Sequence, residues 1–221
     1  MKLAYTEISA VFDTDIPAVN TLVIENRRFL RKILEDLNNQ ISGYEGDMVL
    51  SVKDRPIPFD KNAELIQDFI AFTLNRKPLL TKMTAIMEKI AVSPEYYTQT
   101  QTQLWGIESY ILDLSQDFPV EIACTKLTPA ALIKSAGIEI VSEKGYPLEQ
   151  LIDYMELVRE IDRDKLFVLV NIRSYFDDHE IEVLFRTILD HEFHVVLIDS
   201  FAGAVLKCEK RWTIDEDLCE F

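Results

Sequence analysis

Apolar positions along this chain change their period twice, and the changes divide it into three stretches. Leu3 to Ile8 alternates loosely, Pro17 interrupts, and Asn20-Thr21-Leu22-Val23-Ile24 reads as a short strand. A helix is predicted next: at about 100° per residue Phe29, Leu30, Ile33, Leu34 and Leu37 share one arc, while Arg28, Arg31 and Lys32 take the opposite one with Arg27 at its edge. Glu35 stands among these cations, placed to pair with Arg31 or Lys32. Met48 to Val52 predicts another strand, and Arg55-Pro56-Ile57-Pro58 a breaker and hinge out of the sheet.

From Lys61 to Ala136 the spacing becomes helical: Leu65, Ile66, Phe69 and Ile70, then Leu79 to Ile90, then Leu104 to Leu114, with Pro78, Pro94 and Pro119 between or near helix starts. Gly137 is expected to end a helix over Pro129 to Ala136, and Ile138-Glu139-Ile140 to resume the sheet. Pro147 to Ile161 is amphipathic. Leu166 to Asn171 and His194 to Asp199 are apolar runs of the kind covered on both faces, separated by a helix near Asp178 to Leu189, which predicts a right-handed parallel crossover. The chain is therefore expected to be an α/β protein whose head, residues 1–58 and 137–221, is interrupted by an all-helical leg at 59–136.

A parallel sheet of this kind commonly binds nucleotides, yet the strand ending at Ile24 is followed by Glu25-Asn26-Arg27-Arg28. A phosphate loop needs glycines there, so that backbone N–H groups can close on phosphates, and a terminal Lys-Ser or Lys-Thr. Arginines stand in their place. The expected head is thus P-loop-NTPase-like with a mostly parallel sheet and no Walker motifs, better suited to holding a polyanion on its surface than to hydrolysing a nucleotide.

Composition narrows this picture. With 221 residues and 48% apolar content a sizeable core is assured, and no apolar stretch approaches the roughly 18 residues of a membrane span, so a cytoplasmic protein is expected. Cys124, Cys208 and Cys219 lack metal or disulfide spacing and suit reduced thiols. A net charge of −15 opposes binding to nucleic acid unless cations gather on one surface.

Asp199, an acid closing an apolar strand, has the position of a Walker B carboxylate but no Walker A partner; a helix-capping or loop-capping role is the plainer reading. In Asp190-His191-Glu192-Phe193-His194 the two imidazoles do not share a helical face, and His179 lies at a helix start, so zinc is not expected. No Ser, Cys or Lys stands in a nucleophile setting, Lys126 and Lys134 included, which argues against an ordinary hydrolase. The best candidate is the basic face Arg27, Arg28, Arg31 and Lys32, with Lys53 and Arg55 before the hinge and Arg76, Lys77 and Lys82 in the leg, although a solvated face has the same composition.

Leu132-Ile133-Lys134-Ser135-Ala136-Gly137-Ile138-Glu139-Ile140, Arg163 to Asn171 and Asp177-Asp178-His179-Glu180-Ile181 resemble the helix-glycine-strand junction, the strand ending in Asn and the following acidic helix start of the short-form Csn-two family, the CRISPR-associated proteins of type II-A loci that take part in spacer acquisition. Ile214-Asp215-Glu216-Asp217 resembles its ending less closely. The resemblance is strongest over Leu127 to Ser200. It implies a ring-shaped homotetramer that threads or caps double-stranded DNA ends through a lysine-lined hole, without nuclease or ATPase activity, and partnership with the CRISPR integrase and the RNA-guided effector nuclease. An acidic exterior around a basic hole would reconcile the net charge with DNA. The alternative is a catalytically dead scaffold acting through protein contacts alone. The family's members often bind calcium just before the Leu-Ile-Lys helix. Here only Asp117 and Glu121 are at hand, and Lys126 stands near an expected acid, so the legs would be held by direct packing or by Lys126 pairing with an acid.

Overall fold

The computed structural model describes residues 1–141 and 145–221. In chain order the elements are β1 (Lys2–Tyr5), β2 (Val11–Asp13), β3 (Val19–Ile24), α1 (Arg27–Ile41), β4 (Met48–Val52), β5 (Arg55–Ile57), α2 (Phe59–Asn62), β6 (Ala63–Ile66), α3 (Lys77–Ala91), α4 (Tyr97–Leu114), α5 (Pro129–Ala136), α6 (Pro147–Ile161), β7 (Leu166–Val170), α7 (Asp178–Asp190), β8 (His194–Asp199) and β9 (Glu209–Ile214). They form two compact units, Met1–Phe72 with Lys144–Phe221, and Thr73–Glu143.

The first unit holds two sheets. One is parallel with order β6-β7-β8-β3-β9, and the other antiparallel with order β2-β1-β4-β5. Side chains alternate across a strand, so Leu22, Ile24, Val196 and Ile198 point to one side of the parallel sheet. There they share a buried core with Ile33 and Leu37 of α1 and with Leu3, Phe12 and Leu50 of the antiparallel sheet. Val23 and its register partner Asp199 point to the opposite side. On α6 and α7, Leu151, Met155, Ile181 and Leu184 are fully buried, as their helical spacing requires.

Three expectations are corrected. Arg55–Ile57 is not a hinge out of the sheet but β5, paired with β4 through a two-residue turn in which Lys53 (φ 50°) and Asp54 (φ 59°) both adopt the left-handed region that such hairpins demand. Pro56 is accommodated because β5 is an edge strand. Ala63–Ile66 is strand β6 beside β7, not the start of a helix, and Phe69 and Phe72 continue the head's core against Phe176 and Tyr154. Ile138–Ile140 forms no strand: Asn75 Oδ1 accepts from the Ile140 amide (2.7 Å) and Asn75 Nδ2 donates to its carbonyl (3.1 Å), tying the two ends of the helical unit together. Gly137, with φ +66°, ends α5.

β9 has a polar, charged sequence and was not anticipated. The chain beyond it folds back, with Thr213 and Phe221 exchanging both backbone hydrogen bonds at 2.8 and 3.0 Å and Ile214 bridging Glu220. A second tight contact sits at the end of α1. Buried Gln40 donates to the Met48 carbonyl (2.9 Å) and accepts from its amide (3.0 Å), with Gly46 packed directly against it.

In the second unit α3 and α5 pack on one another, and Leu79 and Leu104 are the buried residues of α3 and α4. Trp105, Tyr110 and Leu114 of α4 remain more than 59% exposed. Among the described residues, no helix is long and apolar enough to cross a membrane.

Candidate nucleic-acid interface

Two residues, Glu25 and Asn26, join β3 to α1 at the carboxyl edge of the parallel sheet. Asn26 is extended (φ −70°, ψ 106°), and its Oδ1 accepts from the amides of Arg28 (3.1 Å) and Phe29 (3.0 Å). These are the N–H groups that a phosphate would use at a helix start. The Glu25 amide donates to the Ile214 carbonyl (2.9 Å) and Asn26 Nδ2 to the Glu216 carbonyl (2.8 Å). The segment after β9 therefore holds the junction from one side while the asparagine closes it from within.

Beside this junction Asp199 neither caps a helix nor closes a loop. Its carboxylate is fully buried, 3.4 Å from Arg173 Nε but without hydrogen-bond geometry, and burial pushes its pKa up to about 6 against the opposing pull of the guanidinium. Arg173 is itself 3% exposed at the side chain. It donates through Nη2 to Glu209 (3.0 Å) and through Nη1 to the Ala204 carbonyl (3.2 Å). Arg211 completes the set, with bonds to Glu209 (3.0 Å) and to the Gly203 carbonyl (2.7 Å). Two arginines thus pin the segment after β8 over the sheet. Nothing in the sequence singles out Arg173, because its buried partners come from the distant segments around residues 199–209, while the nearby Asp178, 3.7 Å from Nη1, is exposed.

Arg27, Arg28, Arg31 and Lys32 all lie on the exposed side of α1. Their charges are not equivalent. Lys32 is paired with Glu7 and Arg31 stands 3.8 Å from Glu35, whereas Arg27 and Arg28 make no ion pair among the described residues. Lys53 is exposed at the β4–β5 turn. Arg76, Lys77 and Lys82 belong to the other unit, with Lys77 and Lys82 exposed on α3.

Asp117 and Glu121 are exposed in an irregular stretch, and among the described residues no group of three metal-ligating side chains forms. Two solvated carboxylates supply fewer than the six to eight oxygens calcium takes, so the residues present do not fit that ion. Lys126 makes no ion pair among the described residues either; instead Glu108 Oε1 accepts from the Leu127 amide at 2.6 Å. His191 lies 3.2 Å from Glu156, and His194 Nδ1 2.8 Å from Thr14 Oγ1, so the two histidines face different partners.

The profile of the family described as CRISPR-associated protein (Cas_Csn2) matches residues 40–218. The chain belongs to this family. Among solved structures, the crystal structure of Stu0660 of Streptococcus thermophilus is similar, with a TM-score of 0.55 and 13% identity over 91% of this chain and 69% of that one. At that identity the likeness is one of fold. Csn2 membership agrees with the resemblance carried by Leu127 to Ser200, which lies wholly inside the matched span. Lys53, Arg76, Lys77 and Lys82 fall within the span matched to Csn2, while the four α1 cations precede it.

Proposed function

We propose that this Csn2 protein is a non-catalytic, sequence-independent binder of double-stranded DNA ends, working as a ring-shaped homotetramer in CRISPR spacer acquisition alongside the integrase complex and the RNA-guided effector nuclease. The observation that supports this most is the state of the β3–α1 junction. Asn26 occupies the helix-start amides, while Arg27 and Arg28, one and two residues further on, present unpaired guanidiniums to solvent. Phosphates then meet the exposed, charged face of a helix in place of a glycine-rich loop, an arrangement for positioning a backbone rather than for cleaving a nucleotide. Lys53, Lys77 and Lys82 are further phosphate contacts in this reading, and no step depends on calcium.

A scaffold acting through protein contacts alone is the second reading. The apolar exposure of Trp105, Tyr110 and Leu114 on α4 favours it, since such side chains are typical of association surfaces. Gel-shift titration of linear duplex against a covalently closed circle of equal length, at matched salt, separates the two. Preferential retention of the linear form is expected for a ring loading over ends. Equal binding would move the contacts to an outer groove, and binding to neither would leave the scaffold.

A further inference from the structure

At the amino edge of the parallel sheet, opposite the β3–α1 junction, the head has an open cleft of about 730 Å³ between the β2–β3 loop, the end of α6 and the start of β8. His194 stands in its wall with its side chain 19% exposed. Thr14 Oγ1 lies within hydrogen-bond distance of both the Met1 carbonyl (3.1 Å) and His194 Nδ1 (2.8 Å). Nδ1 is thus engaged by the hydroxyl, and Nε2, which has no protein partner among the described residues, is left for whatever enters.

Arg159 and Arg163 line the same cleft. Neither makes an ion pair among the described residues; Arg159 lies 5.8 Å over the Phe193 ring. Carboxylates are present too: Glu160, Asp164 and Glu192 are exposed at the rim, as Arg163 is, where solvent and salt weaken the field of all four. Asp15 is paired with the Met1 ammonium. The charged groups that are only partly exposed are Arg159 and His194. The inner wall thus offers the Arg159 guanidinium and a protonatable nitrogen to an anion small enough to enter, with Arg163 at the rim.

We propose that this cleft binds a phosphomonoester, with Arg159 and Arg163 on its oxygens and His194 Nε2 as a proton-linked contact. Unoccupied, the imidazole is kept neutral, because burial first and the nearby Met1 ammonium second hold its pKa below the ordinary value, against Asp15 and Asp164, with Arg159 adding to the depression. A bound phosphate reverses that balance. Nε2 takes up a proton and donates to a phosphate oxygen, so lowering the pH favours the bound form until the phosphate itself gains a proton near about 6. The site is separate from the α1 surface and does not depend on the proposed role in DNA binding.

Calorimetric titration of the intact protein with AMP, and with blunt duplex carrying either a 5′-phosphate or a 5′-hydroxyl, tests this. The histidine ring resonances are followed by NMR in parallel. Arg163→Gln, at an exposed and unpartnered residue, should weaken AMP about tenfold with the fold intact, as should Arg159→Gln. The His194 pKa should rise on binding. AMP binding alone identifies a free nucleotide as the source; preference for 5′-phosphorylated duplex, lost in the same variants, identifies a DNA end. No binding of either phosphate at millimolar concentration, or binding unchanged in both variants, overturns the proposal. AMP binding without duplex binding keeps this site and overturns the DNA-binding reading. Duplex binding with neither AMP binding nor a 5′-phosphate preference does the reverse.

Discussion

Arg173 Nε stands 3.4 Å from Asp199 Oδ2 with no hydrogen bond between them. The guanidinium is held by Glu209 and the Ala204 carbonyl and is not free to turn fully to the aspartate. Asp199 is therefore a buried carboxylate with incomplete compensation, and its pKa of about 6 lies above the ordinary 3.8. A raised folded-state pKa adds stability that is fully present below the unfolded value and is lost as pH rises through about 6. That loss is roughly 3 kcal/mol across the window. Asp199→Asn, which mimics the protonated form, should be more stable than the natural protein at pH 7.5, by about 1–3 kcal/mol, and should flatten this part of the pH profile. Urea denaturation at pH 5 and 7.5 measures both. A variant less stable at pH 7.5 would mean that Arg173 compensates the charge after all.

Asn26→Ala removes the acceptor shared by the Arg28 and Phe29 amides and the bond to the Glu216 carbonyl. Loss of such a cap costs about 1 kcal/mol. Thermal unfolding should shift down by about 2–4 °C.

Gly46→Ala places a Cβ 2.7 Å from Gln40 Cγ and Cδ, and Gln40 cannot withdraw without losing both bonds to Met48. Destabilisation of about 2 kcal/mol is expected, from overpacking together with a buried amide and carbonyl left unpaired. Gln40→Ala combined with Gly46→Ala should cost less than the two single changes added, which a double-mutant cycle by chemical denaturation reads directly.

On α1 the four cations should separate by their pairing. Arg27→Ala and Arg28→Ala should each lower duplex affinity at any sequence and reduce the salt slope by about one. Lys32→Ala, which also frees Glu7, should do less to the slope. Affinity measured from 50 to 200 mM salt distinguishes them; no change in affinity or slope for any of the four would place the DNA elsewhere.

Much of the head was legible because burial on both faces writes continuous apolar runs. Leu166 to Val170 and His194 to Asp199 are such runs, and α1, α6 and α7 carry clean helical arcs. β9 was missed for a physical reason. Its Glu209 and Arg211 face the polar network around Arg173, so the strand lacks the apolar signal that marked its neighbours. β6 was misread because Leu65, Ile66, Phe69 and Ile70 fall at helical intervals, although a four-residue strand and the loop after it bury Ile66 and Phe69 separately. The absence of a phosphate loop could be read from Glu25-Asn26-Arg27-Arg28, but not that Asn26 itself closes the helix start. The cleft around His194 was equally hidden, since its walls come from three segments far apart in sequence.

The returning segment beyond β9 has a consequence for how the head can meet other chains. β9 is an outer strand of the parallel sheet, and outer strands invite extended peptides to add themselves as further strands. Here Thr213 and Ile214 already have their backbone occupied by Phe221 and Glu220, and the rest of the strand carries Glu209, Lys210 and Arg211. The carboxyl end of this outer strand is thereby closed from within the chain, and the stretch left open to an added strand is the charged one, Glu209 to Arg211.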